Sequence, residues 1–147
     1  MKIMNEVISD GRHKLSGVGE YSVEDEWNNG TIEYCVFVID GKFYITYSDP
    51  EDGYRSNGVL NVVSNDVIQT AVEKHGLIMN MFPEQEVIVV NFNHVDNKHE
   101  WEDKWLVRMF NEGGDEILTV GTENYNDYYP MSVFHWHPEN LPINKYR

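Results

Sequence analysis

A β-hairpin pattern in the first third of the chain constrains the fold more than any other feature. The run TIEYCVFVI, residues 31–39, is dense in β-branched and aromatic residues, and FYITY, residues 43–47, follows shortly after it. Asp40 and Gly41 lie between the two runs, and Asp-Gly is a preferred two-residue turn because both residues tolerate a positive φ. The pattern therefore predicts two antiparallel strands joined by a tight turn.

The rest of the chain adds further strand patterns and one helix pattern. Strands are expected at 54–63, 86–92, 100–110, 117–120 and 131–137, separated by turn-forming residues such as Asp49–Gly53 and Gly113-Gly114. A helix is expected near residues 66–75, where apolar residues fall at helical spacing and Gly76 ends the pattern. Residues 11–29 are expected to form a loop. Together these patterns predict an α+β fold, a mostly antiparallel β-sheet of about seven or eight strands with one packed helix.

Length and composition agree with one domain that covers residues 1–147. A chain of 147 residues is long enough to bury a core without disulfide bonds, and its single cysteine, Cys35, indicates a reducing compartment. Cys35 lies in an apolar run, which is typical of a buried residue. No segment approaches the ~20 apolar residues that a membrane-spanning helix needs, and the N-terminus lacks the apolar core of a signal peptide. We therefore expect a cytoplasmic protein.

The charge of the chain restricts its partners. It has 25 acidic and 11 basic residues, a formal net charge of −14, and neither Lys nor Arg occurs between Lys14 and Lys42 or between Arg108 and Lys145. Such a surface repels nucleic acid and anionic lipid, because both carry negative phosphate groups. It attracts basic protein surfaces, including those that bind DNA or RNA. The alternative is that the excess charge only keeps the domain soluble.

Two segments of the chain are similar to each other. KFYITYSDPEDGY, residues 42–54, aligns without gaps on ILTVGTENYNDYY, residues 117–129, about half the chain further on. A duplicated half-domain would produce this similarity, and so would two strand-to-turn transitions with ordinary sequence preferences. Each segment ends in acidic residues and Tyr, a combination suited to contact with a basic protein partner. The predicted binding residues are the acids and tyrosines of these two segments: Asp49, Glu51, Asp52, Tyr54, Glu123, Asp127, Tyr128 and Tyr129.

A metal-dependent enzyme is the alternative from another functional class. His135 and His137 are two residues apart on a predicted strand, so both side chains face the same way. His94 and Asp96 form a second pair of the same kind, and together the four could ligate Zn²⁺ or Fe²⁺. However, the chain has no phosphate-binding loop and no nucleophile-elbow motif. We therefore predict no catalytic residues and no cofactor, with this metal site as the alternative.

Two segments, YSDPEDGYRSNG and VGTENYNDYYP, resemble parts of small acidic proteins encoded by bacteriophages, most of them uncharacterised. The resemblance implies a phage accessory protein that binds and inhibits a host enzyme in the host cytoplasm, in some cases by imitating the charge of DNA. The leading hypothesis is therefore a non-enzymatic acidic protein that occupies a basic surface, for example on a host protein that handles nucleic acid or defends the host. A structural or assembly protein remains a third possibility.

Overall fold

The computed structural model describes residues 8–25, 30–50, 56–94, 104–125 and 129–143. Within these ranges the chain forms eight strands and one α-helix, which confirms the predicted mostly antiparallel α+β fold. The elements are β1 (Gly11–Asp25), β2 (Gly30–Ile39), β3 (Lys42–Pro50), β4 (Ser56–Val63), α1 (Asn65–His75), β5 (Ile78–His94), β6 (Lys104–Phe110), β7 (Glu116–Tyr125) and β8 (Tyr129–Trp136), followed by a single 3-10 turn at Pro138–Asn140.

All eight strands belong to one antiparallel sheet in the order β4-β3-β2-β1-β5-β6-β7-β8. The sheet consists of two four-stranded meanders, β1–β4 and β5–β8, and α1 connects the outer edge of the first to the start of the second. Because β1 and β5 pair antiparallel at the centre, the strand order has an approximate two-fold symmetry. The two similar segments lie on β3 and β7, the third strand of each meander.

The predicted hairpin is confirmed at β2 and β3. Asp40 and Gly41 have φ values of 52° and 77°, so both central residues of the turn adopt the positive φ that a tight hairpin requires. The turn expected at Asp49–Gly53 is wrong for its first two residues, because β3 continues through Pro50, which pairs with Ser56. Residues 51–55 lie outside the described residues.

The expectation of a loop over residues 11–29 is wrong for the part that the structure describes. Residues 11–25 form β1, the strand that joins the two meanders by pairing with both β2 and β5. Leu15 and Val18 on this strand are almost completely buried. Its glycines weaken the local strand pattern, but the tertiary structure uses two of them where β5 passes closely.

The sheet curls so that β3 and β4 approach β7 and β8 across its inner face. The larger core fills this inner face, with fully buried residues from both meanders such as Phe37, Val89 and Leu118. The helix α1 covers the outer face of the first meander, where Ile68 and Ala71 belong to a second buried cluster. The helix ends at Gly76, whose φ of 72° is the left-handed conformation typical of a helix C-cap. No helix in the described ranges has both the length and the apolar character needed to cross a membrane.

Candidate functional site

Three exposed carboxylates follow one face of the β1–β2 hairpin. They belong to Glu20, Glu24 and Glu33, which we call the acidic strip. Glu33 lies opposite Ser22, midway between Glu20 and Glu24 along β1, so the three side chains alternate between the two strands on one face. With ~3.4 Å per residue and ~4.8 Å between strands, neighbouring members have Cα atoms roughly 8 Å apart. The strip is thus a regular zigzag of negative charge.

The acidic strip has no cationic neighbour in sequence or in register. Elsewhere, Arg12 forms ion pairs with Glu86 and Glu112, and Arg108 pairs with Glu116 at 3.2 Å. In the part of the chain that the structure describes, no ion pair includes a member of the strip. Among the described residues, no Lys or Arg therefore lies within ion-pair distance of the strip.

A cleft opens beside the acidic strip on the inner face of the sheet. Its cavity volume is about 20 Å³, far below the ~300–1,000 Å³ of a typical small-molecule pocket. The first meander contributes one wall and the second meander the other. The lining residues are Glu20, Glu33, Tyr34, Cys35, Thr46, Tyr47, Gly121, Val133 and Phe134. A cavity of this size has room for about one water molecule.

Cys35 lies at the centre of the first wall. Its neighbours in register are Glu20 on β1 and Thr46 on β3, and Glu33 is two residues away on the same face of β2. Burial and, to a smaller extent, the charge of Glu20 raise the pKa of the Cys35 thiol well above its usual value. Cys35 is 6% exposed, so its thiol is a buried neutral group, as the sequence predicts, and not an activated nucleophile.

Thr46 provides the one unusual polar group among the described residues of this wall. Thr46 is 4% exposed, and its hydroxyl Oγ1 has no hydrogen-bond partner among the described residues. A buried hydroxyl without a partner costs about 1–3 kcal/mol. Gly121 lies on the opposite wall and is the residue that aligns with Thr46 in the second similar segment.

Tyr34 and Tyr47 border the cleft through their backbone. Each is next to an inward-facing residue of its strand, so its ring points to the outer face, where the two rings contact each other at 4.6 Å between centroids. Tyr21 stacks on Tyr34 at 4.7 Å, and His75, in the last turn of α1, stacks on Tyr21 at 5.7 Å. Burial, together with the two neighbouring tyrosines, raises the pKa of Tyr21 to about 12. This aromatic row holds the helix against the sheet behind the cleft.

His135 and His137 face the same carboxylate, as their spacing predicts. His137 Nε2 is 3.2 Å and His135 Nδ1 is 3.9 Å from Oε1 of Glu116, while Arg108 holds the other oxygen. Burial alone would raise the pKa of Glu116, but the hydrogen bond from Arg108 and the neighbouring positive charges lower it. The two imidazoles therefore lie beside the Arg108–Glu116 ion pair on the outer face of the second meander.

The structure does not bring the other two predicted metal ligands to this cluster. In register, Val90 on β5 is level with His135 on β8, three strands away, and His94 lies four residues further along β5. These steps separate the backbones of His94 and His135 by roughly 19 Å, too far to share an ion. Asp96 lies outside the described residues. Among the residues that are described, no three His, Cys, Asp or Glu side chains form a group that could hold a metal ion.

No pattern in the sequence predicts a second histidine–carboxylate pair, which His13 and Asp40 form. His13 Nδ1 is 2.6 Å from Oδ2 of Asp40, and His13 Nε2 is 2.8 Å from the backbone carbonyl oxygen of Ser9. The Ser9 hydroxyl is 3.4 Å from the same nitrogen, so Ser9, His13 and Asp40 follow one another as in a Ser-His-Asp catalytic triad. However, a carbonyl only accepts hydrogen bonds, so Nε2 must carry a proton and cannot act as a base towards the hydroxyl. These hydrogen bonds of His13 connect the start of β1 to the β2–β3 turn, and we call them the clasp.

The predicted contact residues that the structure describes occupy the ends of β3, β7 and β8. Asp49 pairs with Asn57, Glu123 with Met131, and Tyr129 with Tyr125, so these positions belong to strands rather than loops. The remaining members, Glu51, Asp52, Tyr54, Asp127 and Tyr128, lie outside the described residues. The acidic strip is not among the predicted site residues because β1, which places Glu20 and Glu24 on the same face as Glu33, is not predicted. The absence of Lys and Arg between Lys14 and Lys42 is nevertheless visible in the sequence.

The comparisons with known proteins give no relative. No protein-family model matches the chain, and neither the curated proteins nor the solved structures contain a match.

Proposed function

We propose that this protein is a non-enzymatic binding protein that presents the acidic strip to a basic surface of another protein. The observation that carries the proposal is the zigzag of Glu20, Glu24 and Glu33 on one hairpin without a cationic neighbour. A row of carboxylates that forms no ion pair with another described residue attracts Lys and Arg side chains and speeds association with a positively charged partner. The net charge of −14 acts in the same direction at longer range.

The arrangement of the charges supports a protein partner. Nucleic acid and anionic lipid are repelled by the strip, and the nearest cations along the chain, Lys14 and Lys42, lie outside it. The most specific version of the proposal follows from the resemblance to small acidic phage proteins. In that version the partner is a host protein with a basic groove for nucleic acid, and the strip occupies the groove in place of phosphates.

Binding of a decalysine peptide, measured by fluorescence anisotropy at low and high salt, tests the proposal. We expect the variant Glu20→Gln/Glu24→Gln/Glu33→Gln to bind about tenfold more weakly than the unmodified protein, since each exposed charge pair contributes ~0.2–1 kcal/mol. The difference should shrink at high salt because screening weakens exposed charge pairs.

The matched control is Asp66→Asn/Glu73→Gln/Glu84→Gln, which removes three exposed carboxylates from α1 and β5 and therefore gives the same net charge. If long-range charge alone drove binding, the two triple variants would lose equal affinity. Equal losses would contradict the proposed role of the strip.

A further inference from the structure

We propose that the outer face of the second meander binds the same face of a second copy of this chain, so that two copies pack sheet against sheet. Alternate residues of β5 and β6 face outwards there, because Val89, Val107 and Met109, which lie between them, belong to the inner core. The outward side chains form an apolar surface around one cation. We call this surface the outer patch, and its members are Ile88, Val90, Phe92, Leu106, Arg108 and Phe110.

The outer patch is accessible to another molecule. Val90 is 42% and Phe92 is 45% exposed, and the other apolar members are half-buried. On the first meander the outer face is covered by α1, whose buried residues pack with Leu77 and Met79 at the start of β5. Ile88 lies roughly 30 Å further along β5 than Met79, at ~3.3 Å per residue. The helix therefore leaves the outer patch uncovered.

The charges around the outer patch balance one another. Three cations and three carboxylates form ion pairs there: Arg12 with Glu86 and Glu112, Lys14 with Glu86, and Arg108 with Glu116. The guanidinium of Arg108 also lies over the ring of Phe110, 5.0 Å from its centroid. The whole chain has a net charge of −14, so two copies repel each other least at a face whose charges cancel. This balance favours a second copy over a basic partner at this face.

The register of the sheet makes the face complementary to itself. One row across the strands consists of Arg12 on β1, Ile88 on β5, Phe110 on β6 and Glu116 on β7, that is, a cation, two apolar residues and a carboxylate. A two-fold axis parallel to the strands, between β5 and β6, places this row over its own reverse. Each Arg12 then faces Glu116 of the second copy, and each Ile88 faces Phe110. Packed sheets lie ~10 Å apart, a distance that an Arg and a Glu side chain bridge together.

The next two rows fit the same axis. Phe92 is in register with Leu106, so these two apolar residues face each other across the two copies. Val90 is in register with Arg108 and faces the methylene groups of that side chain, which are apolar surface. The contact thus repeats itself in both directions, as an interface between identical copies requires.

The size of the face predicts a weak dimer. Three rows across four strands cover roughly 300 Å² on each copy, at ~4.8 Å between strands and ~3.4 Å per residue. The sheet curls towards its inner face, so the contact does not extend far beyond these rows. Stable complexes bury ~800 Å² on each partner. We therefore expect a dimer with a Kd on the order of 100 µM.

Sedimentation velocity of the full chain tests the dimer, with protein concentrations from about 10 µM to about 1 mM. About 0.3 M NaCl screens the repulsion between the two negative chains. The sedimentation coefficient should rise with concentration towards that of a dimer. In ¹H–¹⁵N NMR the concentration-dependent amide shifts should cluster at residues 88–92 and 106–110. A monomer at every concentration, or shifts that cluster on β4 or β8, would overturn the proposal.

A pair of matched variants tests the apolar contact. Val90→Asp places a charge in the outer patch, and we expect at least tenfold weaker dimerisation. Val62→Asp is the control, since Val62 lies on β4, is 50% exposed and gives the same change in net charge. The control should dimerise as the unmodified protein does, and equal losses in the two variants would contradict the proposal.

A second pair of variants tests the register. Arg12→Glu turns two attractive contacts of the symmetric dimer into repulsive ones, so we expect about tenfold weaker dimerisation. Lys74→Glu on the exposed side of α1 changes the net charge equally and should have a clearly smaller effect. Equal effects would show that Arg12 does not face Glu116 of the second copy, and the proposed axis would then be wrong.

This inference goes beyond the proposed function and does not rest on it. The acidic strip lies on the inner side of the sheet, where Glu20 is the register partner of Cys35, so both strips of the dimer stay accessible. A chain that sediments as a monomer but loses decalysine binding in the triple Gln variant of the strip refutes only the dimer. A chain that dimerises while both triple variants lose decalysine affinity equally refutes only the proposed function.

Discussion

The substitution Gly19→Ala should destabilise the protein clearly, whereas Gly17→Ala on the same strand should be nearly neutral. A Cβ atom at Gly19 would lie 2.7 Å from the backbone carbonyl oxygen of Ile78 and 2.7 Å from Sδ of Met79. Both residues belong to β5, and Met79 is the register partner of Gly19. The carbonyl oxygen is fixed by the ladder between the two central strands, so the strands themselves would have to separate.

The environment of Gly17 is different, although its nearest contact is shorter. The Cβ atom would lie 2.5 Å from Sδ of Met81, the end of a flexible side chain on a residue that is 58% exposed. It would also lie 3.3 Å from Cγ2 of Val38, a contact that a shift of a few tenths of an ångström relieves. Met81 can rotate away into solvent at little cost. Overpacking against a fixed backbone destabilises a protein by ~1–3 kcal/mol. Replacing Gly by Ala stabilises it by ~0.4–1 kcal/mol, because Ala lowers the conformational entropy of the unfolded chain.

We therefore expect Gly19→Ala to lower the free energy of unfolding by about 2 kcal/mol, and Gly17→Ala to change it by less than ~0.5 kcal/mol. Urea unfolding followed by tryptophan fluorescence measures the free energy of unfolding of both variants. The slope of this free energy against urea concentration should be unchanged, which shows that the variants unfold from comparable folded states. In thermal unfolding, Gly19→Ala should lower Tm by roughly 4–8 °C. A loss of stability in Gly17→Ala that equals or exceeds that in Gly19→Ala would refute the account of how β1 meets β5.

Three further predictions concern the clasp and the walls of the cleft. Burial alone would lower the pKa of His13, but its hydrogen bonds to Asp40 and Ser9 raise it overall. The clasp therefore contributes its full stabilisation below pH ~6.5, the pKa of an unperturbed histidine. This contribution is lost as the pH rises through the raised pKa. The stability difference between the unmodified protein and His13→Asn, measured by urea unfolding, should therefore be larger in mildly acidic than in alkaline buffer, and a difference that grows with pH would be inconsistent with the clasp. The buried, high-pKa thiol of Cys35 should react with a disulfide reagent at least ~100-fold more slowly in the native protein than in urea, and rapid native labelling would show that the site is open. Gly121→Ala should lower the free energy of unfolding by ~1–2 kcal/mol, because φ is 148° there, and unchanged stability would mean that β7 does not need glycine at this bend.

The sequence predicts well the elements whose signals are local. The β2–β3 hairpin depends on a two-residue turn, and α1 depends on an apolar spacing followed by Gly76, so both lie close to their expected positions. The strand β1 is not predicted because its glycines and polar residues do not form a local strand pattern. Its stability comes from pairing with β2 and with β5, and β5 is distant from it in the chain.

The strand β5 is longer than predicted for a related reason. Pro83 interrupts the strand pattern, but it lies where the register between β1 and β5 shifts, so the missing N–H group leaves no gap in the ladder. The side chain of Gln85 donates hydrogen bonds to the carbonyl oxygens of Pro83 and Glu84 in this bulge. A sequence pattern shows the proline but not the bulge that accommodates it.

The cleft also depends on contacts that no local pattern contains. Its lining extends from Glu20 to Phe134 and joins five strands of both meanders. The sequence does show that Lys and Arg are absent around Glu20 and that the two segments on β3 and β7 are similar. It cannot show that the curled sheet brings Thr46 and Gly121, which align in the two segments, to opposite walls of one cleft.

The most direct test of the central claim is the location of the binding surface in the unmodified protein. A titration with decalysine at low salt, followed by ¹H–¹⁵N NMR, reports which backbone amides sense the bound cations. If the acidic strip is the binding surface, the largest shifts will cluster on the β1–β2 hairpin, at residues 20–24 and 31–35. Shifts that are largest on α1 or β4, or that are spread evenly over all exposed acids, would contradict it.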